Sequence, residues 1–186
     1  ELSDDKEKPL EDLFVDFNNL SFKMFKKQDN SYILYLGTPA DMKKGDYLLK
    51  IVNSKKDLIF QSTVKVNEGN FGTQNISYYR PNLAKEQIEQ IKKEDLLIDN
   101  AKKTLSEKQL WIEPFNLPVK DRVSGIYGIK RFLNGKYNNY HTGVDFASAM
   151  KTPIKATNNG VVILSKYFSK YNANGNIVFL DHGHGV

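Results

Sequence analysis

Residues 140–146 read Tyr-His-Thr-Gly-Val-Asp-Phe, and this stretch determines how the rest of the sequence is interpreted. It places an imidazole, His141, four residues before a carboxylate, Asp145, and both groups are good zinc ligands. A helix would bring them to one face, but Thr-Gly-Val is poor helix-forming sequence. A flat strand would separate their Cα atoms by about 13 Å, too far for two metal bonds of about 2 Å each. We therefore expect a loop that enters a strand, with a bend at Gly143 that lets the two side chains converge.

The spacing alone leaves a simpler alternative, in which His141 forms an ordinary hydrogen bond and Asp145 lies on a solvated rim. The sequence on either side favours the metal site. Four further segments occur in order around residues 140–146: Ser124-Gly125-Ile126-Tyr127-Gly128-Ile129-Lys130-Arg131-Phe132-Leu133-Asn134-Gly135, Thr152-Pro153-Ile154-Lys155-Ala156, Gly160-Val161-Val162, and Gly175-Asn176-Ile177-Val178-Phe179-Leu180-Asp181-His182-Gly183-His184-Gly185. Together they make residues 109–186 resemble the lysostaphin/LytM-type zinc metallo-endopeptidases, which cut peptide bonds in bacterial peptidoglycan. One departure is Lys151, where that family usually has glycine.

The resemblance implies one Zn²⁺ ion held by His141, Asp145 and a histidine located beyond Val186. It also places the catalytic histidines beyond Val186, so no catalytic residue is expected within these 186 residues. We therefore expect this chain alone to lack peptidase activity and to bind zinc weakly. A C-terminal fragment of the same protein is an expected partner, in addition to the peptidoglycan peptide.

Three residues near the ligand pair are candidates for the substrate groove: Arg131, Asn134 and Tyr140. For Arg131 and Asn134, stabilisation of a turn is the favoured alternative. The loop at residues 168–175 corresponds to one that borders the groove in the family.

The sequence His182-Gly183-His184 offers a second set of metal ligands, which with His141 and Asp145 would make a complete zinc site. We disfavour it. Residues 176–180 predict a buried strand, and the glycines after it indicate a turn. We expect His182 to belong to that turn and His184 to be exposed.

The composition is compatible with an exported protein. The 186 residues contain no cysteine, which excludes disulfides and Cys-type zinc sites, and they carry a formal net charge of +5. Residues 120–186 carry nine Lys or Arg against three Asp, which suits an anionic polymer such as the cell wall. No nucleic-acid-binding motif and no apolar run of about 20 residues is visible, so neither nucleic acid nor a membrane span is expected. The start at Glu1 indicates a trimmed chain, and the resemblance implies the bacterial periplasm, cell envelope or exterior.

The pattern predicts a mostly β chain in four parts. Residues 1–11 are a flexible lead-in, and residues 12–80 form a small β-sandwich of short strands, which a last strand from about Thr73 to Tyr79 closes. Residues 81–108 are a helical connector, with Asn82 as N-cap and a helix from Leu83 to about Leu105. Residues 109–186 are then the N-terminal part of a LytM-type antiparallel β-sheet peptidase domain. Its entry, residues 111–118, should be extended and packed against that domain.

The sequence thus predicts a zinc metallo-endopeptidase that remodels the cell wall. Two alternatives stay open. One is a non-catalytic wall-binding or amidase-activating protein on the same fold, although such proteins typically lose the ligands retained here at His141 and Asp145. The other is a protein-binding β-module at residues 12–80, with the peptidase segment as its scaffold.

Overall fold

The computed structural model describes residues 12–77, 82–112, 114–172 and 174–186. The chain forms two compact units, one of residues 1–37 with 42–68 and one of residues 38–41 with 69–186. The predicted lead-in at residues 1–11 lies outside the described residues. No helix in the described ranges is long and apolar enough to cross a membrane.

The first unit is built on a four-stranded antiparallel sheet. Its strands in chain order are β1 (Leu13–Phe17), β2 (Leu20–Lys23), β3 (Phe25–Lys26), β4 (Tyr32–Ile33), β5 (Gly45–Asn53) and β6 (Leu58–Val66). The sheet order is β2-β1-β5-β6, and β3 and β4 form a separate two-stranded ribbon. Inward-facing Val15, Phe17 and Val52 are buried. Asn18 and Asn19 both have positive φ, the conformation of the tight turn that joins β1 to β2.

The seventh strand, β7 (Thr73–Ile76), is not part of the first unit's sheet. It pairs in parallel with β9 (Lys130–Leu133) of the second unit. The prediction that this strand closes an N-terminal sandwich was therefore wrong. The alternation of side chains identifies a strand, but it does not identify the strand's partner. The residues that continued the predicted strand, 78 and 79, lie outside the described residues.

The single helix, α1 (Lys85–Ala101), is shorter than predicted at both ends. Its N-cap is Ala84 and not Asn82, and the side chain of Gln87 accepts a hydrogen bond of 2.9 Å from the Ala84 N–H. That contact satisfies a donor at the helix start without a polar cap residue. Ile98 and Ala101 are buried, as the helical spacing predicts, whereas Leu105 lies beyond the helix and is exposed.

A buried carboxylate joins α1 to the loop at residues 168–175. Glu94 accepts hydrogen bonds from the Ser169 N–H and from the Ser169 hydroxyl, both 3.0 Å, and from the Gln90 side chain at 2.8 Å. Nearby, the Asn172 amide donates to Asp95 at 3.2 Å. These bonds hold the start of the loop against the helix, next to Phe168, which is 1% exposed.

We expect Glu94→Gln to remove an acid-sensitive contribution to stability. The hydrogen bond from Gln90, followed by those from Ser169, lowers the pKa of Glu94 below its ordinary value of 4.5. A carboxylate whose pKa is lowered in the folded state stabilises the protein at pH values above its ordinary pKa. This stabilisation is lost as the pH falls through the folded-state pKa. The stability difference between wild type and Glu94→Gln should be larger at pH 7 than at pH 3 in denaturant titrations. The exposed Glu89→Gln should show no such difference.

The remaining strands of the second unit form small antiparallel sheets. They are β8 (Val123–Gly125), β10 (Lys136–Tyr140), β11 (Asp145–Phe146), β12 (Val161–Tyr167) and β13 (Asn176–Asp181). β10 pairs with β9, β11 with β8, and β12 with β13. The predicted mostly β fold is confirmed.

Candidate metal-binding site

The site is formed where β10 ends and β11 begins. His141 directly follows β10, Asp145 opens β11, and the chain bends between them. The Nε2 atom of His141 lies 3.2 Å from the Oδ1 atom of Asp145. Two ligands of one tetrahedral zinc ion, with bonds of about 2.0–2.2 Å, stand roughly 3.3 Å apart. The predicted convergence of the two side chains is confirmed, and their separation suits a shared metal ion.

The imidazole of His141 is held in one orientation. The ring is buried, and its Nδ1 atom lies 3.0 Å from the carbonyl oxygen of Ile126, so Nδ1 must be the donor. When the ring is neutral, Nε2 therefore carries a lone pair directed at the Asp145 carboxylate. Only a proton or a cation between Nε2 and Oδ1 removes the repulsion between the lone pair and the carboxylate. This arrangement is the usual support of a metal-bound histidine. Main-chain bonds of 2.8 Å from Gly128 N–H to His141 O, and from His141 N–H to Ile129 O, fix the backbone.

The carboxylate of Asp145 is positioned by its neighbours. Its Oδ2 atom accepts a hydrogen bond of 3.3 Å from Arg131, whose Nε atom donates to Gln74 of β7 at 3.4 Å. Gly125 of β8 leaves the space in which the carboxylate lies, since a Cβ there would meet Oδ2 at 2.6 Å. Oδ1 thus stays turned towards His141. The sequence did not reveal Gln74, because its role depends on the parallel pairing of β7 with β9.

A scan of the chain against protein families finds a match to peptidase family M23 at residues 139–186, which include both His141 and Asp145. We refer to residues 139–186 as the M23 segment.

Among solved structures, the chain is similar to the crystal structure of a Pseudomonas aeruginosa protein that is provisionally named peptidase M23. The TM-score is 0.64 and the sequence identity is 22%, over 97% of this chain and 65% of that chain. At this identity the similarity shows a shared fold, and the chain spans about two thirds of that protein's length. A search of the curated proteins finds no match.

Arg131, Asn134 and Tyr140, the predicted groove residues, occupy different settings. Arg131 lies within β9 and pairs with Asp145, so the favoured turn role is not what its side chain does. Asn134 has a φ of 49° and precedes Gly135 with a φ of 80°, the pattern of a two-residue hairpin turn between β9 and β10. Tyr140, the last residue of β10, is half-buried beside Tyr127. Contact of these residues with a substrate stays a prediction.

The two histidines at the C-terminal end of the M23 segment are both buried, so the prediction that His184 is exposed was wrong. The ring atoms of His182 are engaged by the Asn159 carbonyl at 2.6 Å and the Thr157 hydroxyl at 3.3 Å. The His184 ring packs edge-on against Trp111, and the His182 ring packs edge-on against Phe115. Trp111 and Phe115 therefore cover this turn, as expected for the entry segment at residues 111–118.

These contacts give His182 and His184 a structural role, which is to pack the C-terminal turn against Trp111 and Phe115. Among the described residues, no group of three or more His, Cys, Asp or Glu side chains could hold a metal ion. The candidate metal-binding atoms in the described residues are the Nε2 atom of His141 and the Oδ1 atom of Asp145.

We expect Gly125→Ala to weaken metal binding while the fold is retained. The added methyl group would overlap the Asp145 carboxylate, which is the free end of a side chain and can rotate away from His141. A displaced ligand or ligand support typically costs 10–100-fold in metal affinity. Isothermal titration with Zn²⁺ measures the change, and Gly37→Ala is the control because its Cβ would meet nothing within 4 Å. Equal zinc affinity in the two variants would contradict the assigned role of Gly125.

Proposed function

We propose that this protein contributes a zinc-dependent endopeptidase site that cleaves peptide bonds of bacterial peptidoglycan. The observation that carries the proposal is the approach of His141 Nε2 to Asp145 Oδ1, with Nδ1 of the same ring bound to a main-chain carbonyl. This is a histidine prepared to give its lone pair to a cation. The match of residues 139–186 to peptidase family M23 supports proteolysis as the reaction.

The residues present fit two of the three protein ligands that a catalytic zinc ion needs. When bound, zinc lowers the pKa of a water molecule and polarises the scissile carbonyl group. The chain itself supplies the orientation. Ile126 fixes the tautomer of His141, and Arg131 holds the second oxygen of Asp145 away from the ligand position.

The substrate assignment is supported by charge and by the resemblance of the sequence to cell-wall hydrolases. Residues 120–186 carry six more basic than acidic side chains, counted as nine Lys or Arg against three Asp. Such a surface attracts an anionic polymer at low salt. We accordingly propose that the protein acts in the bacterial periplasm or at the cell surface.

The test is hydrolysis of purified peptidoglycan by the natural full-length protein. We expect new free amino groups to appear in proportion to time, to stop when a chelator removes the metal, and to return when Zn²⁺ is added back. New reducing sugar ends in place of amino groups would contradict peptide cleavage. Sedimentation with the wall in the absence of any hydrolysis would support the non-catalytic wall-binding alternative.

A further inference from the structure

Three tyrosines near the candidate metal ligands contact one short segment of the chain. Tyr137 and Tyr140 belong to β10, and Tyr127 precedes β9. The rings of Tyr127 and Tyr140 meet edge to face with centroids 5.9 Å apart, and Phe71 packs edge-on against Tyr127 from the other side. We call Tyr127, Tyr137 and Tyr140 the tyrosine cluster. Its hydroxyl groups are hydrogen-bonding groups on an aromatic surface.

A short segment of the same chain, Thr38–Asp41, lies on this cluster, and we call it the strap. The Tyr127 hydroxyl donates to the Thr38 carbonyl oxygen at 3.2 Å, and the Tyr137 hydroxyl lies 3.5 Å from a carboxylate oxygen of Asp41. The main chain of Ala40 hydrogen-bonds to Tyr140. The strap belongs to the second compact unit, although the residues on either side of it belong to the first. It is therefore a peptide segment held by hydroxyl groups of another part of the chain.

The electrostatic environment keeps Tyr137 in the donor form. Desolvation, followed by the nearby Asp41 carboxylate, raises the pKa of Tyr137 above its ordinary value. Protonated phenols donate hydrogen bonds to carbonyl and carboxylate oxygens, which are the acceptors that the strap presents.

The cluster is tied to the metal-binding pair through the backbone. Tyr127 stands between Ile126, whose carbonyl orients the His141 ring, and Gly128, whose N–H donates to the His141 carbonyl. Tyr140 is the residue directly before His141. Gly128 also leaves the space filled by the Phe71 ring. The segments that orient the histidine are thus the same segments that present the tyrosines.

We propose that the tyrosine cluster is a binding subsite for an extended peptide, and that the strap fills it with the chain's own residues. The subsite recognises a main-chain carbonyl group at one position and a carboxylate group three residues further on. This inference rests on the proposed function in taking a peptide as the substrate, and it assigns that substrate a carboxylate. Because the strap and an added peptide share one site, each weakens the apparent affinity of the other.

The experiment frees the subsite and supplies the strap as a separate peptide. In one variant the strap is replaced through Thr38→Gly, Pro39→Ser, Ala40→Gly and Asp41→Ser. A capped peptide of sequence Gly-Thr-Pro-Ala-Asp-Met is added, and backbone amide signals are followed by NMR. We expect saturable shifts at Gly128, Tyr140 and His141 in the variant. The wild type should bind at least about tenfold more weakly, since its tethered strap competes at an effective concentration of about 1 mM.

Two changes test the recognition itself. Tyr137→Phe in the strap-replaced variant, or alanine in place of aspartate in the peptide, should each weaken binding about tenfold, as for the loss of one hydrogen bond to a charged group. Tyr167→Phe is the matched control, because Tyr167 is 75% exposed. Absence of shifts in the folded strap-replaced variant, or equal binding by the wild type, would overturn the proposal.

A single substitution keeps the proposal testable if strap replacement prevents folding. In Asp41→Ala, the tyrosine ionisation followed at 295 nm should be complete at lower pH than in the wild type, because Asp41, after desolvation, contributes to the raised pKa of Tyr137. An unchanged titration would contradict the contact. Neither measurement requires metal or hydrolysis, so failure here is distinguishable from failure of the proposed peptidase function.

Discussion

Gly183→Ala is expected to destabilise the protein by about 2–5 kcal/mol. Gly183 has a φ of 89°, and an L-residue in the left-handed region costs roughly 1–2 kcal/mol. Its Cβ would also overlap the main-chain carbonyl oxygen of Lys108. Overpacking of this kind costs about 1–3 kcal/mol.

The backbone at this point has no room to relax. The Leu110 N–H donates to the His182 carbonyl, and the His184 N–H donates to the Ser106 carbonyl, both at 2.8 Å. Gly183 itself donates to Asp181 at 2.8 Å. These bonds clamp residues 106–110 against the turn on both sides of Gly183. Moving Lys108 away would therefore break main-chain hydrogen bonds as well.

Thermal unfolding followed by circular dichroism measures the effect, and we expect the midpoint to fall by about 10 °C. Gly135→Ala is the matched control. Its φ of 80° is similar, but its Cβ would meet nothing within 4 Å, so it reports the backbone cost without the overlap. If Gly183→Ala is no less stable than Gly135→Ala, then residues 106–110 do not lie against the turn as described.

The burial of this turn also shows where sequence reasoning reached its limit. The glycines on either side of His184 correctly indicated a turn, and exposure followed as the ordinary state of a turn residue. What covers His184 is the ring of Trp111, more than 70 positions earlier in the chain. No local pattern encodes such a contact. The pairing of β7 with β9 was missed for the same reason, since it too joins distant segments.

The metal-binding pair was predictable because its geometry is local. Four residues, a glycine between them and two known ligand types were enough to require a bend, and the bend is present between β10 and β11. The groups that position the pair were harder to predict from the sequence. The Ile126 carbonyl has no side-chain signature, and Arg131 was interpreted as a turn residue because its partner, Asp145, is reached only across paired strands. The sequence therefore predicted the approach of His141 to Asp145, and the structure revealed what positions the two side chains.

His141→Ala is expected to lower the zinc affinity of the natural full-length protein by more than about 100-fold and to abolish its hydrolysis of peptidoglycan. Loss of a residue that only supports a ligand costs 10–100-fold, so loss of a ligand itself should cost more. The Nε2 atom of His141 is one of the two candidate metal ligands that converge in the described residues, and alanine removes it. Competition with a chromophoric zinc chelator measures the affinity.

The matched comparison is His184→Gln, which removes another buried histidine. The ring of His184 packs against Trp111, so this variant should lose stability and keep its zinc affinity at a temperature where it remains folded. The opposite pattern, with zinc binding lost in His184→Gln and kept in His141→Ala, would assign the metal to the C-terminal turn. Unchanged zinc affinity in both variants would reduce the pairing of His141 with Asp145 to an ion pair and remove the basis of the proposed function.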